Sequence, residues 1–123
     1  MIQIDPVSSV PIYDQIKAGL RGLVTKGLLR PGDAVPSIRS LAVELKVNPN
    51  TVARAFRELA LEGFLESHRG GGNFIAAGAI RQARDGLSDI RAGLKEAVQL
   101  ARRGGLSWPE IEELLRRAKE EER

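Results

Sequence analysis

A polar, partly cationic group recurs at helical spacing in the middle of the chain: Asn50, Thr51, Arg54, Arg57 and Glu58. On a helix with Val52 and Phe56 turned inward, Asn50, Arg54, Arg57 and Glu58 point away from the core and Thr51 lies on the flank near the helix start. Such a face carries the donors that read base edges in a DNA major groove, where arginine bonds guanine O6 and N7 and asparagine bonds adenine. It equally describes an ordinary solvated helix surface, with Arg54 and Glu58 as an i, i+4 ion pair. On the first reading Arg54 is expected to contact a base, while Arg39, further up the chain, reaches a phosphate beside the groove; on the second both are solvated charges. Arg69 and the run Gly70-Gly71-Gly72 form another group. A tip without Cβ atoms can approach a phosphate or a minor groove closely, and one cation there supplies attraction.

Other chemistries are excluded by what the chain lacks. With no cysteine, disulfides, thiolate catalysis and cysteine-ligated metals are out. His68 is the only histidine, too little for a metal site or a Ser/His/Asp triad, and it is expected on a hairpin or at the edge of the core. The glycine run is followed by neither Lys-Ser/Thr nor a helix, so it is not a phosphate-binding loop. No catalytic residue, cofactor or metal is expected. The 123 residues, 42% apolar and 28% charged, suit one globular domain or a small domain with an appendage. Met1 to Pro11 carries no signal-peptide pattern and no stretch is a membrane span, so a soluble cytoplasmic protein is expected. The net charge of +3 is a mild bias towards polyanions.

The elements that must position these residues are legible from periodicity and caps. A first helix is predicted from Pro11, with Ile12, Ile16, Leu20, Leu23 and Val24 on one face and a stop at Gly27. Gly19 and Gly22 inside it weaken the helix and are explained by close packing. Arg30-Pro31-Gly32-Asp33 is a turn, followed by a short strand. Ser37 caps a two-turn helix bearing Ile38, Leu41, Ala42 and Leu45. Asn48 and Pro49 open a third helix with Val52, Ala55, Phe56, Leu59 and Ala60 inward, ended by Gly63. Segments Phe64 to Ser67 and Asn73 to Ala76 form a hairpin across His68 to Gly72. Two short helices with a tight break, then a hairpin, outline a winged helix-turn-helix.

Three stretches carry a resemblance to a known family: Pro11-Ile12-Tyr13-Asp14-Gln15-Ile16, Gly27 through Ala42, and Val47-Asn48-Pro49-Asn50-Thr51-Val52. Together with Leu59, Glu62-Gly63-Phe64-Leu65 and Arg69 through Ile75, they resemble the N-terminal domain of GntR-type bacterial transcription regulators, over about residues 2 to 77. The short YtrA-like branch matches best, because it shares Pro-Ile-Tyr, Asn-Pro-Asn-Thr and only two helices after the wing. The resemblance implies DNA contacts at Ser37, Arg39, Asn50, Thr51 and Arg54 and at the wing glycines Gly70 and Gly71. Arg57 joins them from helix geometry, and Arg69 from its place beside the glycines. Pro49 and Ala53 stand where some members carry arginine, and Asn73 where the wing often has threonine, so the resemblance implies DNA binding without fixing which bases are read.

Composition changes near Gly78: four of the five aromatics and five of the six prolines precede it. The expected organisation is therefore a DNA-binding domain over 1–78 and a helical region over 79–123. Leu87, Ile90, Leu94 and Val98 step by three and four along an apolar seam. After Gly104-Gly105, Ser107-Trp108-Pro109-Glu110 is a capping box that opens a last helix with Ile111, Leu114 and Leu115 on one face. This pair of helices either packs on its own winged domain or joins two subunits, and the resemblance implies the second. Trp108 serves as a staple between helices or as an interface anchor. The fold expected is mainly α with a small β wing and a C-terminal two-helix dimerisation hairpin. The function expected is a homodimeric repressor on an inverted-repeat operator in double-stranded DNA, and the resemblance implies control of transporter genes. Any small-molecule effector is expected between subunits, since the tail is too short to enclose a pocket. A winged-helix module that binds protein instead is the rival reading.

Overall fold

The computed structural model describes residues 2–122. Helix α1, Ile12–Thr25, follows Pro11, whose φ of −54° and ψ of 146° leave it outside the helix as the cap. The sequence places Pro11 at the first helical position. The ring fixes only φ, which helix and extended chain share, so ψ decides, and the Pro11 carbonyl accepts the first bonds from Asp14 and Gln15 at 3.1 Å each. Gly27, at φ +76°, ends the helix where a side chain would be strained.

Helices α2, Ile38–Leu45, and α3, Pro49–Leu61, start where local chemistry dictates. The Ser37 hydroxyl accepts from the Ser40 N–H at 3.0 Å, and the Asn48 carboxamide oxygen from the Asn50 N–H at 2.8 Å. Strands β1, Leu65–Ser67, and β2, Asn73–Ile75, are shorter than predicted and pair antiparallel with Leu65 opposite Ile75, Glu66 opposite Phe74 and Ser67 opposite Asn73. The strand expected after the Arg30-to-Asp33 turn is a single bridge, Ala34 to Phe74, on the other edge of β2. Its flanking bonds, Val35 N–H to the Asn73 carbonyl at 2.9 Å and Ile75 N–H to the Asp33 carbonyl at 2.8 Å, tie the hairpin to the chain just before α2.

One core holds these elements together. Ile16, Leu20, Val52, Phe56, Leu59, Phe64 and Ile75 are all buried in it. Helix α4, Ala79–Arg103, begins in the same core, for Ala79 and Ala83 are buried there. The chain divides into compact units at Gly86 and Leu87, inside α4, and not at Gly78. Composition misses this because two alanines blend into a helix whose later face is apolar for a different reason.

The second unit contains the rest of α4 and helix α5, Trp108–Glu121. The Ser107 hydroxyl accepts from the Glu110 N–H at 3.2 Å, as the capping box predicts, and Gly105 turns the chain at φ +105°. No helix of the described residues is long and apolar enough to cross a membrane.

Only one of the two glycines inside α1 has a packing reason. A Cβ at Gly19 would lie 2.8 Å from Ile2 Cγ2, whereas at Gly22 it would meet nothing within 4 Å. Gly22→Ala should therefore stabilise the protein by about 1 kcal/mol, the helix-propensity difference. Gly19→Ala should lose that gain by displacing Ile2. Thermal unfolding of the two variants checks this, and equal gains would mean that Ile2 moves aside at no cost.

Candidate nucleic-acid interface

The exposed side of α3 divides into two flanks. On one, Arg57 lines a shallow depression with Ala53 of α3, Ile38 of α2, and Ser67 and Asn73 of the hairpin. This flank joins the middle of α3 to the start of α2 and the root of the wing. Asn50 is exposed near the α3 N-terminus and Thr51 is half-buried beside it. Ser37 and Arg39 are exposed at the start of α2. The Ser37 hydroxyl uses one lone pair on its cap and keeps its proton free to donate.

The other flank faces α1 and is already engaged. The Arg54 guanidinium lies 3.7 Å from the centroid of the Tyr13 ring, and its Nε donates to Glu58 at 3.0 Å. Glu58 also accepts from Lys17 at 2.9 Å, and Lys17 donates in turn to Glu62 at 2.9 Å. Arg21 closes the chain on the second oxygen of Glu62. Glu58, assigned to the open face by helix geometry, is thus half-buried against α1. The error lies in treating α3 as having one inward side, when α1 covers part of the face opposite Ala53.

Lys17 is 7% exposed, and its environment sets the charges of the group. Burial works against its ammonium, but the hydrogen bonds to Glu62 and Glu58 prevail and hold it above the ordinary lysine range. Hydrogen bonds from Lys17 and Arg54 keep Glu58 below the ordinary glutamate range. The Glu58 contribution to stability is therefore complete above that range and disappears only as pH falls through its lowered value. That of Lys17 is complete below the ordinary lysine range and disappears as pH rises through its raised value.

Sequence reasoning assigns no role to Tyr13, Lys17, Arg21 or Glu62. A signal is present, since Tyr13, Lys17 and Arg21 recur every four residues on α1 as Arg54 and Glu58 of α3 and its C-cap Glu62 do. Two complementary stripes of this kind fit two helices packed side by side.

At the wing, Gly70, Gly71 and Gly72 have φ of +96°, +111° and +89°. All three lie where side chains are strained, so the turn itself needs three glycines, and the run is explained without a ligand. Space around the tip is nonetheless open, for a Cβ on Gly70 or Gly71 would meet nothing within 4 Å. Arg69 beside them is exposed. His68 stacks on Phe74 with ring centroids 3.9 Å apart and lies 3.2 Å from Glu66, which places it on the hairpin as a packing residue. In the same unit, a cavity of about 250 Å³ opens among Leu20, Leu23, Leu29, Leu41 and Leu45, below the usual size of a ligand pocket.

These elements recur in known proteins. Residues 12–75 match the bacterial regulatory proteins of the gntR family. The chain belongs to the GntR family. It is 40% identical to the HTH-type transcriptional repressor YtrA of Bacillus subtilis (strain 168), over 94% of this chain and 90% of that protein. A solved GntR-family transcription factor, YtrA from Sulfolobus acidocaldarius, is 32% identical with a TM-score of 0.59, covering 98% of this chain and 97% of that one. AraR(DBD), solved in complex with operator ORX1, is 29% identical with a TM-score of 0.54, over 59% of this chain and 90% of its own. As a GntR-family winged-helix protein, the chain has α2 and α3 as its helix-turn-helix and β1 and β2 as its wing.

In the second unit, Ile111 is buried and Leu87 and Val98 are half-buried. Ile90, Leu94, Trp108, Leu114 and Leu115 are each more than half exposed. Arg102 lies 5.0 Å from the Trp108 ring centroid, which braces the turn between α4 and α5.

Proposed function

We propose that this protein is a transcriptional repressor that acts in the cytoplasm, binding an inverted-repeat operator as a homodimer. The supporting observation is the exposed flank of α3, where Arg57 opens beside the start of α2 at Ile38 and the wing root at Ser67 and Asn73, with Asn50 exposed near the helix start. That flank offers base-reading donors, with phosphate-binding groups beside them. The family supports the reading, since YtrA of Bacillus subtilis is named a repressor and AraR(DBD) was solved on an operator. Asn50 and Arg57 read bases; Ser37, Arg39, Thr51 and Arg54 contact the backbone; Arg69, Gly70 and Gly71 approach the duplex at the wing. Leu87, Ile90, Leu94, Val98, Trp108, Ile111, Leu114 and Leu115 supply the apolar surface that joins two copies.

Selection of bound sequences from random duplex DNA, followed by titration over a salt series, tests the reading. Arg57→Ala should relax discrimination at one base pair by about 1–3 kcal/mol. Arg39→Ala should weaken specific and scrambled DNA alike and lower the salt slope by about one. Binding that is insensitive to salt would refute operator recognition and favour a protein-binding module, because phosphate neutralisation releases counterions.

A further inference from the structure

The contacts of Arg54 define a task different from that of Arg57. Its guanidinium lies against the Tyr13 ring on the α1 flank, and Glu58 holds its Nε. Two restraints of different kinds, a face contact and an edge hydrogen bond, fix both the plane and the rotation of the group. Its Nη donors have no partner among the described residues, and the side chain is half exposed. An arginine that reads guanine must extend into the groove with its planar fork facing O6 and N7. One laid flat on a tyrosine beside α1, with Nε occupied, keeps only its Nη donors free and holds them on the α1 flank, away from the flank that carries Arg57. Lys17 and Arg21 share Glu58 and Glu62 with Arg54, and Asp14 is a further nearby carboxylate, so its attraction for an anion is local to the unpartnered Nη donors and is not a net charge of the group.

We propose that Tyr13 is the positioning residue of Arg54 and presets its guanidinium as a clamp for a DNA backbone phosphate. The inference rests on the operator-binding reading above and deepens it. Tyr13 need not touch the duplex; it works by removing the rotamer freedom that a long cationic side chain would otherwise lose on binding. The restraint exists before DNA arrives, because the ring, Arg54 and Glu58 are already assembled in the free protein.

A double-mutant cycle on the full chain tests this, with affinity for operator and scrambled duplex measured over a salt series. Arg54→Ala should weaken both DNAs by the same factor and reduce the salt slope by about one. Tyr13→Ala should weaken both by about two- to fivefold, the range of an exposed cation–π contact. Tyr13→Phe, which keeps the ring, should restore binding. In the Arg54→Ala background, Tyr13→Ala should have no further effect. Thermal unfolding of each variant separates loss of fold from loss of the clamp. The proposal is overturned if Arg54→Ala leaves affinity unchanged or alters preference at a single base pair with the salt slope intact. It is overturned equally if Tyr13→Ala costs the same with and without Arg54. Failure of the unaltered protein to bind any duplex in a salt-dependent way would instead remove the operator reading itself.

Discussion

Leu94→Glu is expected to turn the protein into a monomer and to reduce operator affinity by about 100- to 10,000-fold, the range that linkage of two binding modules contributes. Leu94 lies mid-way along α4 in the apolar seam and is 56% exposed in the single chain. An exposed leucine alone means little, but Ile90 stands one turn away from it, and Trp108, Leu114 and Leu115 on α5 are exposed as well. If a second copy covers this face, as the proposed function requires, a carboxylate there would be buried without a partner, and the dimer would open rather than bear that cost. One winged unit would then meet one half-site, with weak, salt-sensitive binding and no benefit from the second half-site about 10 bp away.

A chain ending at Gly86 should behave in the same way and remain folded. The cut must fall there and not at Gly78, since the shorter chain would lose Ala79 and Ala83 from the core. Sedimentation gives the assembly state and operator titration the affinity. A dimeric truncated chain, or a monomer with undiminished operator affinity, would show that α4 and α5 do not join the subunits.

The largest stability effect is expected at Phe64. It is wholly buried and heads the largest fully buried side chains. Its position is also a junction: the Phe64 N–H donates to the Leu59 carbonyl at 2.9 Å at the end of α3, and its own carbonyl accepts from Ala76 at 2.9 Å beyond β2. Removing the ring leaves a cavity in the core. Phe64→Ala should cost about 3–5 kcal/mol, a large part of the stability of a small domain. Phe64→Leu, which keeps most of the volume, should cost much less. Denaturant titration of both variants checks the values. A loss below about 1 kcal/mol for alanine would mean that the site collapses around the missing ring.

Much of the fold is legible because the signals are local. Ser37, Asn48 and Ser107 each bond an N–H two or three residues further on, so a cap needs no knowledge of the rest of the chain. Most inward residues of α3 follow from the helical period: Val52, Ala55, Phe56 and Leu59 are buried, while Ala60, also expected inward, is exposed. Of the residues that helix geometry turns outward, Asn50, Arg54 and Arg57 are exposed and Glu58 is half-buried. The glycine run is also locatable from sequence, although its cause, three consecutive positive φ values, is visible only in the backbone.

Sequence alone therefore establishes the element order, the caps of α2, α3 and α5, most of the buried face of α3 and the winged helix-turn-helix, because each depends on neighbours within a few residues or on a repeating period. Tertiary structure decides the rest. Lys17 and Glu58 are 41 residues apart in the chain, and nothing in either helix states that they will meet. Their meeting depends on how α1 crosses α3, which the whole core sets. That crossing turns Glu58 inward and lays Arg54 on Tyr13, leaving Arg57 on the open flank beside the wing root. The division at Gly86 is non-local for the same reason, since Ala79 and Ala83 belong to the first unit only through the core they enter.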